Sequence, residues 1–159
     1  MNIEVRIANL AEIQIVHKIM LDAFEEYRFL DVPSSALNES EEELQNAINS
    51  GSEKALICMV DEIPVGSSRF KLMDDSIYFS RLSVSPHARG KGIAKAMLLW
   101  LEKYAHENSH IKRMECRVRT SLPKNISLYK AMGYIVYKEE VVTNPNGFLV
   151  KTVVMEKIL

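Results

Sequence analysis

With 159 residues and 47% hydrophobic content, the chain can bury one well-formed core and is too short for two ordinary domains. Its formal net charge of -1, from 20 basic and 21 acidic residues, excludes a nucleic-acid binder driven by bulk charge. The amino terminus, Met1-Asn2-Ile3-Glu4-Val5-Arg6, has neither the basic stretch nor the apolar run of a secretory signal, and Lys95 interrupts the most apolar helix. A cytoplasmic protein with no nucleic-acid or membrane partner is expected.

Taken in chain order, Ile3 to Ala8 alternates as a strand does, and Asn9 with Glu12 three residues later forms a capping box for the helix that follows. That helix is expected to reach about Tyr27, with Ile13, Val16, Met20, Ala23, Phe24 and Tyr27 on one face. Phe29 to Asn38, containing Pro33, reads as an irregular linker. Ser40 and Glu43 repeat the capping logic for a second helix carrying Leu44, Ala47 and Ile48, with Gly51 just past its end. Ala55 to Val60, Val65 to Met73 and Ile77 to Val84 are rich in β-branched and aromatic residues and are separated by Asp61-Glu62 and Asp74-Asp75, an antiparallel meander. A long helix over Gly92 to Glu107 has the buried stripe Ile93, Met97, Trp100, Leu101 and Tyr104. Then come a strand from Met114 to Arg119, a short helix opened by Pro123 and closed by Gly133, and the strands Ile135 to Val142 and Phe148 to Met155 around the turn Asn144-Pro145-Asn146-Gly147. The order β-α-α-β-β-β-α-β-α-β-β shows neither a repeat nor an interdomain linker.

The two cysteines, Cys58 and Cys116, sit alone in strand-like runs without metal-ligand spacing and are expected to be buried free thiols. His17, His87, His106 and His110 form no metal-binding pattern, so no metal site is expected.

The chemistry concentrates in Leu82-Ser83-Val84-Ser85-Pro86-His87-Ala88-Arg89-Gly90-Lys91-Gly92-Ile93-Ala94, a β segment that passes through a glycine loop into the long helix. Small residues in the first helical turn let an anion approach free backbone N–H groups at the positive end of the helix dipole, which makes the loop a pyrophosphate cradle. The two commonest phosphate loops are absent: Gly92 is followed by Ile93 rather than Lys-Ser/Thr, and the dinucleotide pattern breaks at Lys95. Lys91 is a cation at a helix start, where the dipole mildly disfavours it, which argues for a phosphate partner. Arg81, Arg89, Lys91 and Lys95 border this anion site, while Glu12, Glu25, Glu26 and Glu39 to Glu43 make the amino-terminal third acidic.

The run Val84-x-Pro86-x-x-Arg89-Gly90-x-Gly92-Ile93-Ala94, followed by Asn125-x-x-x-Tyr129-x-x-x-Gly133-Tyr134, resembles the two motifs of the GCN5-related N-acetyltransferase superfamily. The likeness is sharp from Ser76 to Tyr134 and weakens between Tyr27 and Gly51, where relatives usually bind their substrates. It implies a single domain spanning 1–159 with an α/β (α+β) fold: a mixed, mostly antiparallel central sheet of about seven strands, flanked by about four helices and splayed between strands 4 and 5. It further implies acetyl-CoA as co-substrate, its pyrophosphate on the amides of Arg89, Gly90, Lys91, Gly92, Ile93, Ala94 and Lys95. The pantetheine arm would run along Leu82, Ser83 and Val84 and be hydrogen-bonded by Asn125. Lys95 and Lys130 are further candidates for the ribose phosphate.

The same resemblance implies direct transfer of the acetyl group to a primary amine in a ternary complex, the acceptor being a small molecule, a peptide amino terminus or a lysine. Tyr129 stands where many relatives place the general acid that protonates the departing sulfur, and the Val84 N–H would meet the oxyanion. Many relatives carry a glutamate on strand four, where this chain has Ser80-Arg81. The base is then a water relay or a carboxylate such as Glu25 or Glu26, and Arg81 either binds an anionic group of the acceptor or makes a cross-strand ion pair. The aromatic residues Tyr27, Phe29, Tyr78 and Phe79 divide between an acceptor pocket and the core. Relatives are often dimers, so a homodimer fits the resemblance. A non-catalytic acyl-CoA-binding module is the alternative function, since donor motifs survive loss of the acceptor site.

Overall fold

The computed structural model describes residues 1–108 and 110–159. Its strands are β1 (Ile3–Ile7), β2 (Lys54–Val60), β3 (Ile63–Leu72), β4 (Ser76–Val84), β5 (Arg113–Arg119), β6 (Ile135–Thr143) and β7 (Leu149–Ile158). The helices are α1 (Ile13–Phe24), α2 (Glu41–Asn49), α3 (Ile93–His106) and α4 (Pro123–Ala131). The seven strands form one sheet in the order β1-β2-β3-β4-β5-β7-β6. β4 and β5 run parallel over Ser76↔Arg113, Ile77↔Met114 and Tyr78↔Glu115, whereas the β1–β2, β2–β3, β5–β7 and β6–β7 pairs are antiparallel. This is the mixed, mostly antiparallel sheet with four helices expected from the sequence.

The local signals act where the sequence places them. Asn9 and Glu12 form the reciprocal capping box, here closing a 3₁₀ turn at Leu10–Glu12 that leads into α1. The Ser40 hydroxyl accepts from Glu43 N at 3.0 Å to cap α2. α1 ends at Phe24, three residues before the expected Tyr27, and the chain continues as a 3₁₀ turn over Glu25–Phe29. A 3₁₀ turn stacks residues three apart. Two such pairs favour it here: Phe24 and Tyr27 meet edge to face at 5.4 Å, and Arg28 grips both Glu25 oxygens at 2.6 and 2.9 Å. The linker before α2 likewise holds a 3₁₀ turn at Ser35–Asn38, capped by the Ser34 hydroxyl. β3 begins two residues earlier than its apolar pattern, with Pro64 tolerated beside a register shift opposite Cys58/Met59.

The chain divides into two compact units, residues Met1–Lys71 with Phe79–Leu101, and Leu72–Tyr78 with Glu102–Leu159. In the first unit Ala8, Ile13, Val16, Leu44, Ala55 and Ile57 form a core against which Ile48 and Met59 pack. The first turns of α3 lie directly on β3 because Gly66 has no side chain: a Cβ there would come within 2.8 Å of Ile93 Cγ2 and 3.1 Å of Met97 Cε. Ile93, Met97 and Leu101 are buried as the stripe predicts, together with Leu98, and Trp100 stays half-buried with its ring edge-on to Phe70 at 6.1 Å. In the second unit β7 pairs with β5 along Arg113↔Ile158 to Arg119↔Thr152. There Tyr129 and Tyr134 are buried and meet at 5.9 Å across the turn that Gly133, at φ +96°, allows. Cys58 and Cys116 are buried free thiols, as expected.

Candidate active site

The glycine loop is built from the end of β4. Ser85 N donates to Val65 O and Ala88 N to Ser85 O, both at 2.8 Å, around a 3₁₀ turn that Pro86 opens. Gly90 and Gly92 then take φ of +79° and +78°, a region that only glycine enters without strain, and nothing lies within 4 Å of a Cβ built on either. Backbone conformation, not crowding, requires glycine here, and the space before the loop is open. The first helical amide bond of α3 runs from Ala96 N to Gly92 O at 2.9 Å. The N–H groups of Ile93, Ala94 and Lys95 therefore project from the helix end at the positive pole of its dipole. Lys91 and Lys95 are exposed beside them. This donor set fits a pyrophosphate.

The expected contact residues of this unit take distinct places. Leu82 and Val84 are half-buried on β4, while Ser83 is buried and its hydroxyl donates to Arg81 O at 2.8 Å. The Ile93 side chain belongs to the core, leaving its amide to the loop. Arg89 turns its guanidinium to the end of α1, where Nη1 meets Glu26 Oε2 at 2.5 Å and Nη2 donates to Ala23 O at 3.2 Å.

Arg81 has φ +52°, unusual for a residue with a side chain, and its Nη2 donates to Ser35 Oγ at 3.3 Å. A left-handed residue inside β4 interrupts its alternation, an event invisible in a β-rich stretch of sequence. Of the two carboxylates considered as bases, Glu26 is ion-paired to Arg89 and Glu25 to Arg28. Hydrogen bonding to the Arg28 guanidinium holds the Glu25 carboxyl below the usual carboxylate value, which weakens it as a base. Among the aromatic residues considered for the acceptor pocket, Phe79 is buried in the core and Phe29 is 87% exposed. Tyr27 and Tyr78 are half-buried, and burial pushes the Tyr78 phenol above its usual value.

A further cluster joins the segments that flank α2 to β3 and α1. Arg69, only 5% exposed in its side chain, reaches Glu39 at 2.6 Å and Glu53 at 3.7 Å, and His17 Nε2 lies 2.7 Å from Glu39 O. These contacts pin the segment around α2 to β3 and α1. An arginine inside a strand pattern was the only signal, and its partners lie too far along the chain to be inferred.

In the second unit Asn125 and Tyr129 stand four residues apart on α4, one turn on the same face, with Asn125 half-buried and Tyr129 8% exposed. Among the described residues no group of histidine, cysteine and acidic side chains could hold a metal ion. No helix among them is long and apolar enough to cross a membrane.

A model of the acetyltransferase (GNAT) family matches residues 16–134, and the chain belongs to that family. Among solved structures, a GCN5-related N-acetyltransferase from Rhodopseudomonas palustris aligns over 100% of this chain and 97% of its own, with TM-score 0.79 and 20% identity. The PaiA N-acetyltransferase of Thermoplasma acidophilum, in complex with coenzyme A, aligns over 100% of both chains with TM-score 0.77 and 19% identity. Spermidine N-acetyltransferase of Vibrio cholerae, in complex with coenzyme A and spermine, aligns over 98% of this chain and 95% of its own with TM-score 0.74 and 18% identity. No curated protein matches the sequence.

Proposed function

We propose that residues 1–159 act as a single N-acetyltransferase domain that moves an acetyl group from acetyl-CoA to a primary amine in a ternary complex. The observation that carries this reading is the glycine loop, where Gly90 and Gly92 take positive φ with open space at each and lead directly into the start of α3. The backbone from Arg89 to Lys95 holds the pyrophosphate, Lys91 and Lys95 add charge, and Asn125 with the backbone of Leu82, Ser83 and Val84 orients the pantetheine arm. The Val84 N–H donates to the oxygen on which negative charge develops, a fixed dipole that needs no reorganisation. Tyr129 holds the proton that the departing sulfur takes. A phenol with a pKa of about 10 is protonated at neutral pH and can give its proton to a thiolate of pKa about 8.5 as the bond breaks.

The proton of the incoming ammonium leaves through water, because Glu25 and Glu26 are both held by arginines. Small polyamines are one acceptor class consistent with the family, since a similar structure is a spermidine N-acetyltransferase. Small-molecule amines, peptide amino termini and lysines all enter the screen, and a homodimer is an allowed assembly. The engaged state of Glu25 and Glu26 also suits a second reading, a non-catalytic acyl-CoA-binding module.

Calorimetric titration with acetyl-CoA, repeated on Gly92→Glu, tests the donor site, and thiol release over a panel of amines tests transfer. Binding that Gly92→Glu abolishes, with amine-dependent thiol release, is the expected result. Binding with no response to any amine would select the module, and no binding would remove both readings.

A further inference from the structure

Arg89 is the arginine of the loop motif, yet its side chain serves a different element from its backbone. Its two terminal nitrogens divide between the Glu26 carboxylate and the Ala23 carbonyl, 63 and 66 residues away in sequence. Ala23 is the penultimate residue of α1, so its carbonyl belongs to the negative end of that helix, where a cation is favoured. Carboxylate and helix end thus draw the guanidinium the same way. The pair is half-exposed, 45% and 46%, and a pair so wetted adds little to stability. What it does is fix a position: the turn Glu25–Phe29, which opens the acceptor region, is tied to the loop that opens α3. A lysine would offer its donors from a single nitrogen on a flexible stem, whereas the planar fork presents two nitrogens at fixed separation, one to each acceptor.

We propose that Arg89 and Glu26 form a latch in which the Arg89 side chain orients the acceptor segment Glu25–Phe29, while the donor's phosphates are met by the loop amides with Lys91 and Lys95. Both are positioning residues. The terms donor and acceptor rest on the acetyltransferase reading; the latch itself does not. An arginine that bound phosphate and one that latches α1 respond oppositely to substitution. In the first case Arg89→Met weakens coenzyme A binding and Glu26→Gln strengthens it. In the second, both leave that affinity unchanged and both loosen the turn.

The test compares the intact protein with Glu26→Gln, Arg89→Met, Arg89→Lys and the charge exchange Glu26→Arg/Arg89→Glu. It measures coenzyme A affinity by calorimetry and hydrogen exchange of the amides from Glu25 to Leu30. The latch predicts coenzyme A affinity within about 3-fold of the parent in Glu26→Gln and Arg89→Met, exchange at least about 5-fold faster in that segment, and partial recovery of protection in the charge exchange. Arg89→Lys should keep coenzyme A affinity and still lose protection. The latch is overturned by unchanged exchange in both Glu26→Gln and Arg89→Met, by a loss of coenzyme A affinity beyond about 10-fold in Arg89→Met, or by a charge exchange whose losses simply add. Should the parent protein bind no coenzyme A, the acetyltransferase reading falls, and the exchange measurements alone decide the latch.

Discussion

Tyr129 can be separated from its own packing by removing a single oxygen. Tyr129→Phe keeps the buried ring and its edge contact with Tyr134 at 5.9 Å, so the fold and the affinity for acetyl-CoA should persist. Losing a general acid typically costs ~10²- to 10⁴-fold, and turnover measured by thiol release should fall at least ~10-fold. An undiminished turnover with chemistry rate-limiting would assign the residue to packing alone. At this same scale the sequence was least legible. Arg89 was readable as a loop residue from its spacing to Gly92, but the direction of its side chain depends on Glu26 and Ala23, and nothing local encodes a partner 63 residues away. The left-handed Arg81 was hidden for a related reason: backbone sign is imposed by the strand's surroundings, whereas side-chain type carries only a propensity.

Elements were legible to the extent that capping and periodicity decide them. The Asn9–Glu12 box, the Ser40 cap and the Gly133 stop are short-range devices and fell where the pattern put them, while of the α3 stripe Ile93, Met97 and Leu101 are buried and Trp100 and Tyr104 stay half-buried. The end of α1 did not, because α and 3₁₀ turns place the same residues on one face over a single turn, and the choice fell to the Phe24–Tyr27 and Glu25–Arg28 pairs. The contact of α3 with β3 gives a prediction of its own. A Cβ at Gly66 would lie 2.8 Å from Ile93 Cγ2 and 3.1 Å from Cys58 Cβ, neither of which is the free end of a flexible chain. Gly66→Ala should lower unfolding free energy by about 1–3 kcal/mol in chemical denaturation. Because Ile93 opens α3, the displaced helix start should also weaken acetyl-CoA binding. A Gly92→Ala protein meets no such wall, and its penalty comes from φ +78°, about 1–2 kcal/mol of backbone strain. An unfolding free energy for Gly66→Ala equal to the parent's would refute the close approach of α3 to β3.

At the scale of the whole molecule, each compact unit carries one buried thiol, Cys58 in the first and Cys116 in the second. Burial pushes the Cys58 thiol up to about 11 and the Cys116 thiol up to about 12, so both hold their protons in the folded state long after an unfolded cysteine, near pH 8.5, has lost its own. Between pH 8.5 and about 11 the folded protein therefore binds more protons than the unfolded one, and its stability should fall as pH rises through that window. The same two thiols report whether 159 residues open together. β4 contributes Ser76–Tyr78 to the second unit and residues 79–84 to the first, and α3 passes from the first to the second after Leu101. Unfolding one unit alone would interrupt a strand and a helix in mid-course, discarding the cooperative bonds of both. Cys58→Ala and Cys116→Ala proteins, each left with one thiol, should accordingly label with a thiol reagent at pH 8 with the same denaturant dependence, the slope of global unfolding. A shallower slope for either thiol would show that its unit opens by itself, and residues 1–159 would then be two folding units.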